Sequence, residues 1–195
     1  QLAGVWFADL ATDLVPDDEK LAAVLANGIG HVSRISAQTG AEPEETAELA
    51  NRIQRHLVEE TRLGIPAIVH EESTGGFTAR RATQFPHGTG LAATWDPELA
   101  EEVAMVIGRQ LRAVGARMTL APVVDIARDP RWGRVEETYG EDPELASRLG
   151  VAYVRGVQSQ GVGCAMKHFT GHGAHEGGLN WGWVSAGPRH LRDVF

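Results

Sequence analysis

The sequence predicts a parallel α/β fold, a (β/α)8 TIM barrel of which the chain holds roughly the first five β/α units. Five short, β-branched apolar runs alternate with segments of helical period. Those runs are nearly continuous in hydrophobicity, as befits strands covered on both faces. No G-x-G-x-x-G follows the first run and no Walker sequence occurs, which removes support from nucleotide-binding versions of a doubly wound sheet. Periodicity alone leaves the open sheet and the barrel both standing. A barrel typically takes about 250 residues. This chain has 195 and stops inside what would be the sixth crossover, so the expectation is one incomplete N-terminal barrel domain over 1–195.

Residues 5–7 predict the first strand. Pro16 and the acids Asp17, Asp18 and Glu19 open a helix carrying Leu21, Val24 and Leu25. Gly28 and Gly30 punctuate before a second strand over 31–36. Residues 43–60 form a helix, with Leu49, Ile53 and Leu57 in one stripe at spacing four. Gly64 leads into the third strand, 65–70. Asp96 followed by Pro97 is an N-cap with proline at the first helical position. The helix it opens carries Leu99, Val103, Ile107 and Leu111 and ends at Gly115. Residues 118–126 are the fourth strand. Asp142 and Pro143 repeat the same opening for a helix ending near Gly161, and 162–169 make the fifth strand. A further helix begins at 188–195.

Hydrophobic content of 43% and charged content of 23% are ordinary for a globular domain. A net charge of −8 without a basic run argues against nucleic acid and anionic membranes as partners. No stretch approaches the roughly 20 apolar residues of a membrane span. The single cysteine, Cys164, rules out an internal disulfide and is assigned to packing. The chain opens on QLAGVWF, with neither an initiator Met nor a signal-like region. The expectation is that something was removed upstream or that this is an excerpt, with the compartment, cytoplasmic or secreted, left open.

Two motifs follow strand-like runs directly. RDPRWGR at 128–134 comes after MTLAPVVDIA, and Lys167-His168-Phe169 after VGCAM. In parallel α/β folds the carboxyl ends of the strands open onto the site. Cations, an imidazole and a tryptophan at that rim suit a small, uncharged, hydroxyl-rich ligand. The plainer reading pairs Arg131 and Arg134 with Glu136 and Glu137 at a strand end. It is favoured for either arginine alone, but not for the two motifs together.

Read together, these residues resemble glycoside hydrolase family 3, whose first domain is a (β/α)8 barrel and whose members include β-glucosidases and β-xylosidases. The resemblance runs over most of the chain: RLGIPAIVHEES, FPHGTGLAATWDPELA, APVVDIARDPRWGRVEETYGEDPELA, YVRGVQ, KHFTGHG and EGGLN, in this order. It implies a pocket for the terminal, non-reducing sugar, holding β-linked glucosides, xylosides or oligosaccharides. Glu72 matches the family's acidic residue against sugar hydroxyls. Arg134 matches the arginine of that pocket, and Lys167 and His168 match its Lys-His pair. Asp125, Asp129, Trp132, Glu136 and Glu137 are expected to brace the loop and orient Arg134. The resemblance implies retaining hydrolysis with no metal or organic cofactor. Relatives with Asp at the Glu72 position are commonly glucosidases and Glu occurs among xylosidases, although glucose leads by family habit.

Three departures stand out. Many relatives have His-Gly after the acidic residue, where this chain reads Ser73-Thr74-Gly75-Gly76, which is expected to change the wall beside Glu72. Leu179 stands before Asn180 where many have Arg. The nucleophilic Asp of a Ser-Asp-Trp-like motif, and the acid/base from a second domain, are expected beyond residue 195. Glu71 with Glu72, or Glu136 with Glu137, are no substitute, because adjacent residues on a strand point to opposite faces. By itself the chain is therefore expected to carry sugar-binding residues without turning sugar over, its exposed strand edges opposing even binding. Three alternatives rank lower. A β-N-acetylglucosaminidase of the same family would carry Asp-Ser-His after KHFTGHG, where this chain reads AHEGGLN. A metal site on His172, His175 and Glu176 lacks the helical His-Glu-x-x-His pattern. A non-catalytic, carbohydrate-binding partial barrel would expose two sheet edges.

Overall fold

The computed structural model describes residues 3–195. β1 (Gly4–Trp6) runs into a 3-10 turn at Phe7–Leu10, whose Phe7 and Leu10 are fully buried. A small antiparallel hairpin follows, β2 (Ala11–Thr12) with β3 (Val15–Pro16), which the apolar periodicity does not signal. Asp17 caps α1 (Asp18–Leu25), accepting from the Glu19 and Lys20 N–H groups at 3.0 and 3.2 Å. Leu21 and Leu25 are buried, but Val24 lies on the solvent side of the helix.

β4 (His31–Ser33) is shorter than the sequence reading, because Arg34 turns into the left-handed region at φ 61°. The chain then coils into α2 (Ile35–Thr39). α3 (Pro43–Glu59) starts with a reciprocal cap between Glu42 and Glu45 and buries Thr46, Ala50, Ile53 and Leu57, with Leu49 at the edge of the stripe. β5 (Ile68–Glu71) begins only after Pro66, which has no N–H for a ladder, and reaches past His70 to Glu71. A short helix absent from the sequence reading, α4 (Gly88–Ala92), precedes α5 (Pro97–Ala113). Asp96 caps α5 through the Leu99 N–H at 3.0 Å.

β6 (Met118–Thr119) stops early because Pro122 cannot donate to the ladder; pairing resumes at Val123, bridged to Lys167. Asp142 caps α6 (Pro143–Ser159) through the Glu144 N–H at 2.9 Å. β7 (Gly163–Cys164) is the remnant of the fifth predicted strand, and α7 (Pro188–Asp193) is the last helix. Cys164 packs against the core, and burial pushes its thiol up to about 12. No helix among the described residues is long and apolar enough to cross a membrane.

The five strands of the main sheet are all parallel and lie in the order β1-β4-β5-β6-β7, each beside the next one along the chain. The pleat sends Val69 and Glu71 toward the helices and Ile68 to the other face, where it is 41% exposed. The larger core fills the space between this sheet and the helices around Leu21, Ile53, Val69, Ile107 and Leu111. A smaller one gathers Leu91, Ile126, Tyr139 and Leu149. α5 buries Ile107 and Leu111 as the stripe predicts, with Val103 packed at its edge, but it also buries Ala100, Ala104 and Gly108, and Leu99 faces outward. The cause is close approach of α6. A Cβ on Gly156 would collide with the Glu101 carbonyl oxygen and come within 2.7 Å of the Ala104 Cβ.

Candidate functional site

Parallel strands put all their carboxyl ends on one rim, and the charged groups singled out in the sequence gather there. Glu72 directly follows β5, at the rim, with its two oxygens divided between two cations. Arg34 Nη2 donates to Oε1 at 2.5 Å and Lys167 Nζ donates to Oε2 at 2.9 Å. Its neighbour Glu71 points the opposite way and is fully buried, as the pleat requires. Glu71 Oε1 accepts the Ser36 N–H at 2.8 Å, and burial pushes this carboxyl up to about 7.

A second chain of contacts holds the other motifs. Asp125, buried beyond β6, accepts from the His168 N–H at 2.8 Å and from Nδ1 at 2.7 Å. Arg134 Nη1 lies 3.3 Å from His168 Nε2. Arginine has only donors, so Nε2 is the acceptor there, and the Nδ1–H tautomer satisfies both contacts. Glu137 grips Arg134 in a bidentate pair, Nε to Oε1 at 2.6 Å and Nη2 to Oε2 at 2.9 Å. Burial raises the Glu137 carboxyl, but Arg134 outweighs it and holds the group below its ordinary value. Asp125 is raised by burial against the pull of its His168 bonds.

The structure thus brings Glu72, Arg134, Lys167 and His168 to one rim. It divides the bracing residues differently from the sequence reading. Glu137 orients Arg134, but Asp125 orients His168. Asp129 instead pairs with Arg131 at 2.7 Å, so Arg131 does not reach Glu136. Glu136 contributes its carbonyl, which accepts from Thr89 at 3.3 Å. Trp132 is buried and donates its Nε1–H to Asn180 at 2.9 Å.

Ser73 does not line a wall beside Glu72. It is fully buried, 2.5 Å from Thr119 Oγ1 and 2.7 Å from the Tyr153 hydroxyl, which also donates to the Ser73 carbonyl at 2.8 Å. A buried tyrosine needs such a partner, and this one ties the end of β5 to β6 and α6. Beneath Arg134 and His168, the rings of His172 and His175 turn nitrogens to each other at 3.1 Å, against the edge of Trp132. Burial pushes His172 down to about 4. Glu176 is exposed, and among the described residues no three His, Cys, Asp or Glu side chains converge as metal ligands.

Arg34 is the rim residue that the sequence reading missed. Its signal was present, a cation directly after the strand residues HVS, but it falls inside the predicted strand 31–36.

A family model described as the glycosyl hydrolase family 3 N terminal domain matches residues 1–195. The chain belongs to this family. A β-xylosidase of Formosa agariphila is 38% identical over 148 residues, covering 69% of this chain and 20% of that protein. A β-glucosidase structure from Erythrobacter marinus aligns with a TM-score of 0.90 at 34% identity, covering 99% of this chain and 26% of that one. A β-glucosidase from Listeria innocua, solved in complex with glucose, aligns with a TM-score of 0.81 at 29% identity, covering 97% and 27%. The five β/α units are thus part of the (β/α)8 barrel of family 3, and the chain spans a fifth to just over a quarter of these relatives.

Proposed function

We propose that this domain supplies the sugar-holding wall of a retaining β-glycosidase, acting on terminal, non-reducing β-D-glucosyl or β-D-xylosyl residues. The observation that carries the reading is Glu72 set between Arg34 and Lys167, with Arg134 and His168 on the same rim. A carboxylate accepts hydrogens from neighbouring hydroxyls while arginine and lysine donate to their oxygens. That is the complement of a sugar ring, and the glucose complex of the Listeria relative is in keeping with it.

Retaining hydrolysis needs a second kind of group, two carboxyls about 5–5.5 Å apart across the scissile bond. Glu71 and Glu72 face opposite ways, and Asp125 and Glu137 are occupied in orienting His168 and Arg134. In this reading the nucleophile and the acid/base lie on polypeptide outside this chain, and no metal or organic cofactor takes part. The extra methylene of Glu72, compared with an aspartate, brings its carboxylate farther into the pocket, where a six-carbon sugar's CH2OH needs room. Xylosides are therefore the preferred substrates.

The test uses the full-length protein that contains this domain, with 4-nitrophenyl β-D-xyloside and glucoside and proton NMR of the released sugar. Expected are first release of the β-anomer, a faster rate on the xyloside, and a loss of at least about 100-fold in kcat/KM for Glu72→Ala. First release of the α-anomer, or a Glu72→Ala variant as active as wild type, would sink the reading.

A further inference from the structure

We infer that Arg34, backed by Trp6, is a positioning and specificity residue of the sugar site. It sets where the Glu72 carboxylate stands and forms the pocket wall opposite Lys167. The inference rests on the sugar-binding reading above and extends it to a residue outside the motifs that carry that reading. Four observations converge on Arg34. Its guanidinium takes Glu72 Oε1 at 2.5 Å, leaving Oε2 to Lys167, so each oxygen of the carboxylate has one cation. The guanidinium carbon stands 4.8 Å from the centroid of the Trp6 ring, a cation–π contact that fixes its plane. Its backbone is left-handed, at φ 61° and ψ 52°, a conformation that a non-glycine residue keeps only where its surroundings impose it. Those surroundings are visible: the Arg34 N–H donates to the His70 carbonyl at 2.8 Å, and Glu71 holds Ser36 from below. Finally, its Nε is buried and has no acceptor among the described residues, so this cation is not consumed by protein contacts.

The strand order gives this arrangement its sense. Trp6 ends β1 and Arg34 follows β4, on one side of Glu72, whereas Lys167 and His168 follow β7 on the other. A sugar over Glu72 therefore meets a cation on each side. A carboxylate held at both oxygens has little freedom to swing away from a bulkier ring. Arg34 thus acts through Glu72 to hold the pocket at one width, which is how it discriminates between a pentose and a hexose.

The experiment is a double-mutant cycle in the full-length protein, with Arg34→Met, Glu72→Gln and the pair, on aryl xyloside and glucoside. Methionine keeps the stem on Trp6 and removes the donors. For Arg34→Met, KM for the xyloside is expected to rise about tenfold with kcat changed less, and the xyloside-to-glucoside preference to narrow. In the Glu72→Gln background the same change should cost under about twofold, because the partner through which Arg34 acts is already altered. Equal losses in the two backgrounds, or an unchanged KM and preference, overturn the assignment. Should Arg34→Met not fold, Arg34→Lys serves in the same cycle. It keeps the charge but not the planar contact, and wild-type KM and preference in that variant overturn the assignment equally. Wild-type protein that hydrolyses neither substrate removes the underlying reading, an outcome distinct from an active wild type indifferent to Arg34.

Discussion

Glu71 and Glu72 are the same residue type one peptide apart, and their surroundings give them different chemistry. Glu72 has two cations. Glu71 is fully buried, and burial lifts its carboxyl from 4.5 to about 7 against the opposing pull of the Ser36 N–H. Between those values the native state keeps a proton that the unfolded state has released, so stability falls as pH rises through this window and levels off above it. The difference corresponds to about 3 kcal/mol. Glu71→Gln keeps an acceptor for Ser36 but cannot ionise. Thermal unfolding at about pH 5 and about pH 8 should show the wild type losing stability relative to this variant at the higher pH. A wild-type-to-variant difference that is the same at both would refute the burial argument. At this scale the sequence was informative where a charged motif directly followed an apolar run, as for Arg134 and Lys167, whereas Glu72 came from the family resemblance. Asp125 was assigned the wrong partner, Arg134, because nothing in a linear chain shows that one carboxylate would close on both the N–H and the ring of His168.

For the elements, capping chemistry was legible and packing faces were less so. Asp96-Pro97 and Asp142-Pro143 open helices as read, since a cap is a local hydrogen bond. The α5 stripe holds for Val103, Ile107 and Leu111 but fails for Leu99, because large apolar residues do not reveal a face built from Ala100, Ala104 and Gly108 where α6 approaches. Strand lengths were overestimated for a similar reason: apolar character persists through Pro122, but the ladder does not. Gly156 tests the close packing. Alanine is favoured over glycine in a helix by about 1 kcal/mol, whereas overpacking costs about 1–3 kcal/mol. With the Glu101 carbonyl oxygen and Ala104 Cβ in the way, the clash wins. Gly156→Ala should lower the midpoint of urea unfolding, by about 1–2 kcal/mol net. A variant more stable than wild type would show that α5 and α6 are not in such tight contact.

Across the whole molecule, the parallel order of the sheet and its two open edges were legible from the alternation of elements, while the apolar side chains it exposes were not. β1 and β7 form the two edges of the main sheet among the described residues. The side of the sheet away from the helices leaves Ile68 well exposed, and Phe169 beside the β7 edge is 98% exposed. Unpaired edges beside apolar surface invite pairing with another chain. The 195-residue chain purified alone should therefore elute, under light scattering, above its 21.0 kDa monomer mass, and show no turnover of aryl glycosides. A clean monomer would mean that its edges are better protected than their geometry indicates.

The contacts at the rim also fix how many bonds remain to be made. Arg134 commits three of its five N–H groups, to Glu137 and His168. Lys167 commits one of three, to Glu72, whose oxygens each keep a lone pair. No charge in the ring stands alone, yet Glu72, Lys167 and Arg134 keep spare valence, whereas both ring nitrogens of His168 are committed. A hydroxyl, being donor and acceptor at once, can join this ring without displacing any member. A carboxylate or phosphate would have to face Glu72 with nothing to donate. In the sugar-holding role proposed above, the unused donors and acceptors of this rim would suit neutral polyols, before shape is considered.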